Sequence, residues 1–62
     1  MENNLELLTI DEVCEILHVG RNTVTALLVS GQLKGFRVGS RVWKIPKTAV
    51  NDYIYKQLNP TN

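Results

Sequence analysis

The chain has 62 residues, a formal net charge of +1, one cysteine and one histidine. A fold of this size buries only about 60% of the surface its unfolded chain exposes, so one small binding domain is expected and a deep two-substrate catalytic pocket is not. Cys14 has no partner for an internal disulfide, and His18 stands alone, without the Cys/His spacing of a metal site.

The N-terminus, MENNLELL, lacks the basic region and apolar run of a secretory signal. No apolar stretch approaches the roughly 20 residues needed to cross a bilayer. A cytoplasmic location is expected, nucleoid-associated in a bacterial or phage setting, without a membrane, cofactor or small-molecule substrate. Residues 1–6 are polar and expected to be flexible, as is the tail 59–62 with its Pro60. Residues 7–58 would form the single domain.

The first helix has a clear start. Thr9 and Glu12 make the T-x-x-E of a capping box, and Leu8 can staple onto Val13 one turn later. Ile10, Val13, Cys14 and Leu17 follow the spacing of a buried stripe. Cys14 is expected as a small core residue, since no cation nearby would lower its pKa. Asp11 and Glu12 suit the positive end of the helix dipole.

His18-Val19-Gly20 then reads as a surface turn, with Val19 facing inward and Gly20 as the next N-cap. Val24, Leu27 and Leu28 give a second apolar stripe, which Gly31 ends. Two short helices joined by a tight glycine-containing turn describe a helix-turn-helix. In FRVGSRVWKIP, Gly39-Ser40 is expected as the two-residue type II′ turn of a hairpin returning from Arg41 to Ile45. Trp43 and Ile45 would face the core, with Arg37 and Lys44 pointing away from it and Arg41 near the tip. Pro46 stops the strand and opens a third helix, whose stripe of Val50, Tyr53, Ile54 and Leu58 would close the core against Trp43 and the first helix.

The charges are segregated. Glu2, Glu6, Asp11, Glu12 and Glu15 crowd the first 15 residues, whereas residues 16–51 hold Arg21, Lys34, Arg37, Arg41, Lys44 and Lys47 and no acid. Such polarity suits a face for a polyanion. The order helix, turn, helix, hairpin, helix describes a winged helix-turn-helix, mostly α with a small β-hairpin, whose second helix lies in the DNA major groove. Its first-turn residues would be Arg21, Asn22 and Thr23, with Thr25 following. Arg can pair with guanine O6 and N7, Asn with adenine N6 and N7, and Thr with a phosphate or a thymine methyl. The hairpin would bring Arg37, Ser40, Arg41 and Lys44 to the flanking backbone or minor groove. Lys34 and Lys47 would be peripheral phosphate contacts. The plainer reading makes Asn22 and Thr23 ordinary first-turn residues and the hairpin charges a guard against edge aggregation.

From Leu7 to Ile54 the chain resembles the excisionase-like, MerR-type winged helix-turn-helix domains. Their runs are approximately T-x-x-E-V-A-x-x-L-x-V-S-R-x-T-V, then G-x-L-x-x-x-R-V-G-x-x-x-R-I-P, then L-x-x-Y-L. Cys14 stands where alanine is usual, Gly20 where a capping serine is, and Thr25 where an aromatic or polar residue is common. The resemblance implies a small recombination directionality factor. Such proteins bind and bend attachment-site DNA and help a tyrosine integrase excise a mobile element. The chain shows no coiled-coil helix or effector domain after residue 58, which favours monomers binding double-stranded DNA, with neighbouring copies side by side. Two alternatives use the same surface: a small transcriptional regulator, and a protein-interaction module docking an acidic partner. An enzyme has little support, since no paired carboxylates, nucleophile–base pair or phosphate loop is visible.

Overall fold

The first helix starts where its capping box places it. In a computed structural model, which describes residues 6–59, α1 runs Ile10–Leu17. The Thr9 N–H donates to Glu12 Oε1 at 2.9 Å, and the Glu12 N–H donates to Thr9 Oγ1 at 3.1 Å. Two donors that no helical carbonyl can reach are thereby satisfied. Leu8 and Val13, on either side of the cap, are buried in one cluster.

The helix ends at His18, which takes the left-handed conformation at φ 58° while its N–H bonds back to the Cys14 carbonyl. Val19, expected to face inward, emerges on the surface at 37% exposure as this left-handed residue redirects the chain. Helix α2 then runs Arg21–Ser30 behind Gly20, which supplies no side-chain cap. Val24 and Leu28 are buried and Leu27 packs beside them, so the expected stripe holds α2 against α1.

The link to the hairpin is anchored at two points. Leu33, which no helical or strand spacing picks out, is almost wholly buried, and its N–H donates to the Leu27 carbonyl. Gly35 passes so close to the core that an added Cβ would lie 2.8 Å from Leu28 Cδ2 and 3.1 Å from the Lys44 carbonyl oxygen.

Strands β2 (Phe36–Val38) and β3 (Val42–Pro46) form the hairpin, but with a longer turn than expected. Phe36 pairs with Lys44, Arg37 with Trp43 and Val38 with Val42, leaving Gly39, Ser40 and Arg41 as a three-residue connection. Gly39 takes φ 73°, where a side chain would be strained. A two-residue Gly39-Ser40 turn would set Arg37 opposite Val42. The additional residue moves Arg37 opposite Trp43 and so onto the other face, because side-chain direction alternates along a strand.

A two-residue strand, β1 (Leu7–Leu8), pairs with Pro46 and Ile45 on the far side of β3, giving the antiparallel order β1-β3-β2. It was not expected, since two residues carry no readable alternation. One sheet face presents Leu8, Ile45 and Trp43, with Arg37 beyond them. The opposite face carries Leu7, Phe36, Val38 and Val42, all exposed, together with Lys44.

Helix α3 (Lys47–Leu58) follows directly on Pro46 and packs on β3. Val50 is buried, and Tyr53 and Ile54 pack partly against the core. Leu58, expected in the same stripe, is 72% exposed because the last turn runs past the packed region. The Lys47 N–H donates to the Glu6 carbonyl at 2.9 Å, tying the start of α3 to the residue before β1. Of the segments expected to be flexible, residues 1–5 and 60–62 lie outside the described residues. The core is Leu8, Val13, Val24, Leu28, Leu33, Ile45 and Val50. Ile45 is fully buried, while Trp43 packs at the rim. No helix among the described residues is long and apolar enough to cross a membrane.

Candidate nucleic-acid interface

Among the described residues, no side chain caps the backbone N–H groups at the N-terminus of α2. Its cap is a glycine and its first turn contains no acid, in contrast to α1 with Asp11 and Glu12. Such an end attracts anions. Arg21, Asn22 and Thr23 are exposed there.

The outward face of α2 follows from what its other face must bury. With Val24, Leu27 and Leu28 turned inward, Asn22, Ala26 and Val29 fall at i, i+4 and i+7 on the solvent side. Val29 is 72% exposed. Ala26 and Val29 are absent from the residues predicted from sequence, which favoured polar types. Their signal was position alone, one helical face shared with Asn22. Thr25 is half-buried at the edge of this face.

A shallow cleft joins the start of α2 to the hairpin. It is lined by Thr9, Asp11, Arg21, Arg41, Val42 and Trp43, among others. Arg21 and Arg41, twenty residues apart in the chain, thus border one depression. Arg21 Nη1 donates to Asp11 Oδ1 across it, and both side chains remain well exposed. No sequence pattern marks a pair ten residues apart on two different helices.

Arg37 lies on the Trp43 face of the sheet, where it was expected to point away from it. Its guanidinium carbon lies 5.2 Å from the centroid of the Trp43 ring, within reach of a cation–π contact. Lys44 sits on the opposite sheet face, beside Phe36, and is half-buried. The expectation that Arg37 and Lys44 point the same way is therefore corrected, and the three-residue turn is the cause. Ser40 is exposed within that turn.

The two peripheral candidates lie elsewhere. Lys47 Nζ is 3.9 Å from Glu6 Oε1 and lines a groove with Glu6, Glu12 and Glu15. Lys34 lines a third groove with Asp52, Tyr53 and Lys56 of α3. The arrangement therefore gathers Arg21, Arg37 and Arg41 around Trp43, beside the exposed face of α2. Lys34, Lys44 and Lys47 are directed to other surfaces.

Residues 7–57 match the family model described as a helix-turn-helix domain. A protein of Saccharopolyspora erythraea named "Probable excisionase" is 42% identical over 50 residues, covering 81% of this chain and 50% of that protein. The chain thus spans about half the length of the curated relative it matches. No solved structure matches it significantly.

Proposed function

Because the chain belongs to the helix-turn-helix domain family, we propose that it is a sequence-specific binder of double-stranded DNA that serves the excision of a mobile element. In this reading α2 enters the major groove. Asn22, Ala26 and Val29 then face base edges and thymine methyls, with Arg21 at the groove edge. The β2–β3 hairpin acts as a wing of the MerR-type kind, and Arg37 and Arg41 neutralise flanking phosphates. The observation that carries the reading is the acid-free outward face of α2, set beside three arginines grouped around Trp43. The likeness to a protein named "Probable excisionase" supports the excision role; in that role attachment-site DNA would be the target, bent on binding, with a tyrosine integrase and neighbouring copies as partners.

Two measurements test this. The protein should enrich a defined duplex from a randomised pool, and its log affinity should fall linearly with log salt. A pool that yields no enrichment, together with a flat salt titration, overturns the DNA reading. Deleting the gene should block excision of the element and leave integration intact. Normal excision in the deletion strain removes the excision role alone.

A further inference from the structure

The contact between Asp11 and Arg21 places an acid inside the cleft that the arginines border. A carboxylate there repels phosphates, so it weakens general affinity for any polyanion. It also occupies a donor. Arginine has five N–H groups in a rigid plane, and Asp11 takes one of them, on Nη1, while Nε and Nη2 have no partner among the described residues. A guanidinium bonded at one corner has fewer orientations open to its remaining edge, which favours a bidentate contact with one base.

Resting on the DNA reading above, we propose that Asp11 is a specificity-determining residue. It positions Arg21 for a base edge and reduces its use as a phosphate ligand. Asp11 itself touches no base. Its effect is on the ratio between cognate and random affinity, through the orientation of Arg21. An acid that served only the α1 dipole would change helix stability and leave that ratio alone.

The test uses a duplex enriched by the wild-type protein from a randomised pool and a shuffled duplex of the same composition. Asp11→Asn should bind the shuffled duplex more tightly and lower the cognate-to-shuffled ratio by about 2- to 5-fold, the reach of one exposed ion pair. Asp11→Glu should restore part of the ratio. In an Arg21→Ala background, Asp11→Asn should leave the ratio unchanged, since no guanidinium remains to be oriented. A thermal melt followed by circular dichroism checks that each variant is folded, and Asp11→Ser replaces Asp11→Asn if it is not. An unchanged ratio in Asp11→Asn overturns the proposal, as does an equal fall in the Arg21→Ala background. If the wild type enriches no duplex at all, this inference is overturned together with sequence-specific binding, and a flat salt titration beside it overturns the DNA reading as a whole.

Discussion

Arg37 lies over the indole of Trp43, directly across the hairpin from it, and this cross-strand pair joins the apolar interior to the charged surface. Trp43 packs its inner side against the core cluster and offers its ring to the guanidinium. One residue therefore supports both the sheet and the placement of a cation.

Replacing Trp43 tests that double role. Because the ring is only partly buried, Trp43→Ala should cost about 2–4 kcal/mol of stability, somewhat below the loss of a fully buried aromatic. Arg37→Ala should cost only about 0.5–1 kcal/mol, the size of an exposed cation–π contact. Urea denaturation of both variants measures the difference.

The two cations Arg41 and Lys47 should behave differently. Arg41 lines the cleft with Arg21, whereas Lys47 lines an acidic groove and faces Glu6. Arg41→Ala should weaken binding to every duplex and lower the log–log salt slope by about 1. Lys47→Ala should leave that slope at its wild-type value. Fluorescence anisotropy across a salt series reads both.

On α2, Ala26→Glu should weaken duplex binding by more than about 10-fold, since it sets a like charge against the DNA. Ala26 is exposed, so its melting temperature should stay within experimental error of wild type. Arg21→Ala should instead relax base preference at a cost of about 1–3 kcal/mol on the enriched site. Competition between enriched and shuffled duplexes separates the two effects.

His18 invites a stabilising change. It holds φ 58° at the end of α1, a conformation that costs a non-glycine residue about 1–2 kcal/mol. Glycine avoids that cost but gains freedom in the unfolded chain, which offsets part of it. His18→Gly should therefore raise stability by about 0.5–1 kcal/mol, visible as a higher urea midpoint with an unchanged m-value.

What could be read from the chain alone was whatever is written locally. Thr9 and Glu12 are three residues apart, and their reciprocal bonds follow from helix geometry. The Val24, Leu27 and Leu28 stripe works in the same way, and so does Gly31 at the end of α2. The turn was not legible, because Gly-Ser-Arg fits a two- or a three-residue connection. That single residue decided the direction of Arg37. Strand β1 is too short to show a period, and its partner lies nearly forty residues away. The contact of Asp11 with Arg21 depends on how two helices cross, which no spacing records. The outward position of Ala26 and Val29 was implicit in the buried stripe. Neither side chain carries a polar group that would mark it as a recognition residue.

Gly35 carries a mechanical consequence. The chain threads between Leu28 and Ile45 there with no space for a methyl group, one residue before the hairpin begins and two after the buried Leu33. The joint between the helix pair and the hairpin is thus closely packed, so a side chain at position 35 would push the hairpin, and Arg41 with it, away from the helices.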